Sequence, residues 1–272
     1  MPWEPVEPGA GGEASVAGVG PLALALDSLN RRYGSGTVGS GALTPPPGLA
    51  TGVAPLDGIT ACQGLPRGRI SQLRGGPSSG AFELGMAVAA AVSRSANLVV
   101  VDFTAELDPG SIAAYQGELA NCWLVRPRRS EEGWAAARAL ARVGVDLCLL
   151  VGDDWSRLTP EAAPSQLLRA LVSGGAAALV LAGRGVPAQL RERICLELEC
   201  RRLEWVLAHG DVCGLKLGVR VGRSHLAAPG AGCWLQLDFP RPYQTLVGAR
   251  QLAEVADGEG RSPWKRLRLA AG

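Results

Sequence analysis

No stretch of this 272-residue sequence offers enough uncharged apolar residues in a row to span a bilayer, which takes about 18. Lysine is almost missing: Lys216 and Lys265 are the only two, and arginine carries nearly all the positive charge. Histidine occurs only at His209 and His225, and no two of the seven cysteines form a C-x-x-C pair. That spacing excludes a recognisable zinc site, and an odd cysteine count predicts ordinary buried thiols. The start, MPWEPVEPGAGGEAS, has acids and prolines where a secretion signal needs a basic end and an apolar run. A cytosolic protein without membrane contact is the expectation. The formal net charge is only +2, so no strong overall field marks a nucleic-acid binder.

What is present is apolar. Hydrophobic residues make up 47% of the chain, enough for a large core, and this rules out global disorder. Residues 1–20 are rich in Gly, Pro and Ala without periodicity and read as a flexible tail. Leu22, Leu26, Leu29 and Tyr33 then fall on one stripe of an amphipathic helix, followed by a Gly/Pro-rich arm over 35–52. The helix and arm together cover 21–52, a core domain follows over 53–240, and 241–272 form a C-terminal extension.

Within the core, strand and helix alternate. Strands are predicted over 69–73, 98–103, 147–151 and 177–182, and helices over 81–93, from Ser130 to Gly144, and over 164–173. Continuous apolar strands separated by helices predict an α/β fold with a mostly parallel sheet covered on both faces. After about residue 192 the pattern changes to apolar–polar alternation over 194–205, 215–221 and 234–239. Antiparallel strands with one wet face have that signature.

Between the first strand and its helix lies GGPSSG. A strand, a glycine-rich turn and a helix N-terminus form an anion-binding arrangement, in which backbone amides cradle phosphate oxygens. Gly75, Gly76, Ser78, Ser79 and Gly80 are the candidate cradle. The full motif continues with Lys and Ser/Thr, to neutralise phosphate and hold Mg²⁺; here Ala81 and Phe82 stand in those places.

Residues 49–84, LATGVAPLDGITACQGLPRGRISQLRGGPSSGAFEL, resemble the bacterial RecA recombinase family around its phosphate loop. In order along the chain, residues 23–38 resemble its N-terminal helix and 99–109 its second core strand, ending in Leu107–Pro109. Residues 145–160 resemble its Walker B strand, with Asp153 or Asp154 near the metal-binding position, and 221–239 resemble its late hairpin. The resemblance implies a RecA-like P-loop core with an antiparallel C-terminal extension.

The departures imply lost activity. The glutamate that activates water in RecA would stand at Thr104, and with Ala81 and Phe82 three catalytic positions are gone. No catalytic residue is therefore assigned, no cofactor or metal is expected, and Asp153 and Asp154 read as a remnant. ATP bound to the loop remnant is the alternative. The segments 159–167 and 183–190 are far shorter than the RecA DNA-binding loops. Residues 121–153 and 194–206 are similar to ImuA/SulA-type proteins, RecA-like companions of error-prone polymerases in the SOS response. The implied function is an ATPase-deficient accessory protein of DNA repair or the SOS response. Its partners would be RecA or a translesion polymerase-like subunit, near the nucleoid, with weak single-stranded DNA binding. The alternative is a divergent ATP-dependent recombinase.

Two arginine groups are candidate DNA or partner contacts. Arg126, Arg128 and Arg129 follow a strand end, where doubly wound sheets place ligands; a solvated basic loop explains them equally well. Arg201 and Arg202 precede Trp205, a cation–aromatic pattern suited to stacking on single strands or simply to a polar hairpin face. The Leu22, Leu26, Leu29 and Tyr33 stripe reads as a partner-docking helix or as one packed on its own domain. Trp123, Trp134 and Trp155 read as core packing.

Overall fold

A computed structural model describes residues 45–239, apart from 184, 209–210 and 227–229, together with Ser28. Ser28 is helical; otherwise the tail, the Leu22–Tyr33 stripe and the C-terminal extension lie outside the described residues.

The most apolar segments make the centre. Strands β3 (Ile70–Arg74), β4 (Leu98–Asp102), β6 (Leu147–Gly152) and β7 (Ala177–Ala182) are buried along almost their whole length, as strands covered on both faces must be. With β5 (Cys122–Val125), β8 (Ile194–Ala208), β9 (Asp211–Ser224) and β10 (Gly232–Asp238) they form one eight-stranded sheet. Its order is β10-β9-β8-β3-β7-β6-β4-β5. All neighbours from β8 to β5 are parallel, and β9 and β10 are antiparallel. The predicted class is the observed one.

Helices cover both faces. Helix α2 (Ala81–Ser93), preceded by α1 (Ala54–Gly58), packs Leu84, Val88 and Val92 into one core with Leu73, Leu149 and Leu217. A short α3 (Gly110–Ala114) adds Ile112 to that side. On the other face lie α4 (Ser130–Arg142) and α6 (Ala163–Gly174), with the single turns α5 (Trp155–Leu158) and α7 (Ala188–Arg191). There Ala137, Ala141, Leu167 and Leu171 meet Val99, Leu150 and Val180. Helices α4 and α6 touch so closely that a Cβ at Gly174 would lie 1.8 Å from the Ala141 carbonyl oxygen. Trp134 and Trp155 are buried and pack with Phe103, but Trp123, expected in the core, is 47% exposed on edge strand β5.

The arm ends earlier than predicted. Gly48–Leu49 forms strand β1, paired with β2 (Leu65–Pro66), and Leu49 and Thr51 are buried. The Thr51 hydroxyl donates to Asp57 Oδ1 at 2.6 Å, and the Thr51 N–H donates to the same oxygen at 3.0 Å. The core therefore starts before residue 53, because a threonine and an aspartate six residues apart close the entry turn. No helix among the described residues is long and apolar enough to cross a membrane.

Candidate functional site

The glycine-rich loop leaves β3 at the carboxyl ends of the parallel strands, where open α/β sheets place their ligands. Its backbone is left-handed at Ser78 (φ 59°) and Gly80 (φ 85°), which turns the chain sharply into α2. The Gly75 N–H donates to the Ala182 carbonyl at 3.3 Å, and the Ser79 N–H donates to the Gly76 carbonyl at 3.1 Å. The Ser79 hydroxyl accepts from the Ala81 N–H at 3.3 Å, so one of the helix's first amides is capped from within the loop.

A cavity of about 360 Å³ opens between this loop, Gly152 and Asp153 at the end of β6, and Ala182 and Gly183 at the end of β7. Gly75, Gly76, Ser78, Ser79 and Gly80 all line it, so the structure brings the whole predicted cradle together. Ala81 and Phe82 line it too; Ala81 is buried, and Phe82 is 43% exposed. The charged residues among the described lining are Glu83 and Asp153, both acidic. Glu83 was not anticipated; its place in the first turn of α2 was the available signal.

Of the two adjacent aspartates, Asp153 lines the cavity and Asp154 does not. Asp153 Oδ1 accepts from the Asp154 N–H at 2.7 Å, and Asp154 turns outward to Arg157 at 3.3 Å. Thr104 does not point into the cavity either. Its hydroxyl donates to the fully buried Asp102.

The two arginine groups are held in different ways. The Arg126 side chain donates to the Leu107 carbonyl at 2.7 Å and stands 3.8 Å from Asp102. Arg129 pairs with Glu132 at 2.8 Å across the start of α4, an ion pair that holds the Glu132 carboxyl below its ordinary range. Arg128 keeps its side chain at the surface while its N–H donates to Glu132.

Arg201 and Arg202 lie on opposite faces of β8, since successive strand residues alternate. A bulge at Leu203 then places Arg202 and Trp205 on the same face, opposite Leu217 and Leu215. There the Arg202 guanidinium sits 4.3 Å from the Trp205 ring centre, and Phe239 meets the same ring edge-on with centroids 6.3 Å apart. Arg201 faces outward with Gly218 as its cross-strand neighbour.

The segments read as shortened loops are short in space as well. Only α5 and six further residues separate β6 from α6, and α7 follows within six residues of β7.

A parallel sheet with a strand, a glycine-rich turn and a helix at its centre, and a cavity at the strands' carboxyl ends, defines the P-loop class of α/β proteins. Residues 21–196 match the family described as the RecA N-terminal domain, and the chain belongs to that family. It is 27% identical over 246 residues to Protein RecA of Acholeplasma laidlawii, covering 76% of this chain and 74% of that one. With Protein RecA of Chlorobium chlorochromatii the identity is 32% over 160 residues, covering 56% of this chain and 44% of the other. Protein RecA of Lactobacillus acidophilus is 27% identical over 248 residues, with 76% and 68% covered.

Proposed function

We propose that this RecA-family chain is an accessory protein of DNA repair that acts by binding and does not turn over ATP. One observation carries the reading: the loop cavity is lined by two carboxylates and by Ala81 and Phe82, with no cation among its described residues. A magnesium nucleotide brings several negative charges into that space. Unit charges about 4 Å apart interact by about 4 kcal/mol at a protein surface, so phosphates there lack the attraction a lysine would supply, and the Glu83 carboxylate adds repulsion. The amides of the loop still suit a small anion; the side chains present do not fit a nucleoside triphosphate with its metal.

Binding then becomes the function to account for. The partners are RecA or a translesion polymerase-like subunit, as in the SOS-associated companions that residues 121–153 resemble. Single-stranded DNA binds weakly through arginine–phosphate contacts and is lost with rising salt. The preserved left-handed turn at Ser78 and Gly80 favours the second reading, a divergent recombinase that still uses ATP.

The test is ATP hydrolysis with and without single-stranded DNA, alongside titration with a fluorescent ATP analogue. No turnover above a protein-free blank is expected. Hydrolysis that disappears on Asp153→Asn overturns the proposal and selects the recombinase.

A further inference from the structure

Among the described residues, strand β10 is a sheet edge that no other strand covers. Natural edges are blunted with lysine, proline, a bulge or extreme shortness, because a bare row of backbone donors and acceptors pairs with any strand it meets. Strand β10 has none of these protections. Its seven residues, GCWLQLD, contain no basic residue and no proline, and they run in unbroken register with β9 from Gly232 to Asp238. Among the described residues no strand pairs with its outer side. The opposite edge, β5, has only four residues.

We propose that two copies of this chain pair through β10, antiparallel and two-fold symmetric about Leu235, to make one continuous sheet. The strand's own sequence selects that occupant. In this register Leu235 meets its own copy, Cys233 meets the partner's Leu237, and Trp234 meets the partner's Gln236. Cys233, Leu235 and Leu237 all belong to the core face, so the two apolar cores join on the same side. The strand's single charge, Asp238, falls opposite the partner's Gly232, so no like charges meet.

The outer face adds a reciprocal contact. A hollow of about 320 Å³ lies there between Leu203, Lys216, Trp234 and Gln236. Pairing brings the partner's Trp234 opposite Gln236, at the rim of that hollow. Leu203 and Trp234 are 39% and 48% exposed in the single chain, so the same pairing covers both. Such an interface is isologous and closes as a dimer.

The experiment is sedimentation velocity of the full chain over a concentration series, with hydrogen exchange of the β10 amides at each end of the series. A dimer is expected at tens of micromolar, with β10 protection rising as it forms. Trp234→Glu with Gln236→Glu sets two pairs of like charges face to face and weakens the dimer about tenfold or more; Trp234→Lys with Gln236→Lys does the same. An equimolar mixture of the two doubly substituted proteins associates again. A monomer at every concentration overturns the proposal, as does constant β10 protection, which would mean another segment covers the edge. Dimers that persist in the glutamate protein, or a mixture that stays monomeric, also overturn it.

Discussion

The Thr104 hydroxyl donates to the buried Asp102 carboxylate at 2.6 Å, and that carboxylate also accepts the backbone N–H groups of Thr104, Ala105 and Leu107. One ion at the end of β4 thus orders the whole turn leading to α3, with Arg126 3.8 Å away. The resemblance to the recombinase family implies a water-activating glutamate at the position of Thr104. Here the residue serves as a clasp.

Asp102→Ala removes the acceptor of four hydrogen bonds in a buried turn. Bonds to a charged group contribute about 1.5–3 kcal/mol each and do not add, so a loss of about 3 kcal/mol is expected in urea unfolding. Thr104→Glu costs about 1 kcal/mol by losing the clasp and brings no ATP hydrolysis, since Ala81 and Phe82 remain. Hydrolysis gained by that single change contradicts the proposed function.

Gly80 and Gly76 sit in one loop and should respond unequally to the same substitution. At Gly80 the backbone is left-handed, and a Cβ would stand 2.3 Å from Leu217 Cδ2 and 2.8 Å from Leu215 Cδ1. Gly80→Ala should destabilise by about 1–3 kcal/mol, from strain and overpacking together. A Cβ at Gly76 meets nothing within 4 Å, so Gly76→Ala should leave the thermal midpoint nearly unchanged. Equal effects would show that the loop does not hold this shape.

Glu199 bridges Arg220 and Arg74 on the outer face of β8 and β9. The hydrogen bond from Arg220, with the charge of Arg74 adding, holds its carboxyl below the ordinary 4.5. A carboxylate lowered in the folded state contributes its stability above the unfolded value and loses it as pH falls through the folded value. The urea midpoint of the native protein should therefore fall as pH drops below 4.5, and Glu199→Gln should flatten that part of the profile. A parallel decline in both proteins removes Glu199 from the account.

Cys148 and Cys200 are buried in opposite cores, and desolvation pushes both thiols up to about 12. Because the thiolate is the nucleophile, neither should react with an alkylating reagent at neutral pH until the protein unfolds. Mass mapping after brief alkylation, with and without denaturant, checks this. Native labelling at either site would mean that its core opens.

Local pattern carried much of the fold. Helix α2 and strand β7 lie on their predicted residues, 81–93 and 177–182, because continuous apolar strands and a stripe of buried helix positions are visible in the chain itself. The glycine-rich turn is equally local, so the five loop residues that line the cavity were legible as a set. What depended on distant contacts was not. Thr51 joins the core only because Asp57 turns back to meet it, and strand β1 exists only because Leu65–Pro66 lies beside it. Arg201 and Arg202, adjacent in sequence, separate onto two faces, and the Leu203 bulge alone returns Trp205 to the face of Arg202. Asp153 rather than Asp154 reaches the cavity because the turn after β6 aims one carboxylate inward and gives the other to Arg157. Periodicity is a property of neighbours along the chain; which side chain faces which is decided by strand register and by the turns that bring remote segments together.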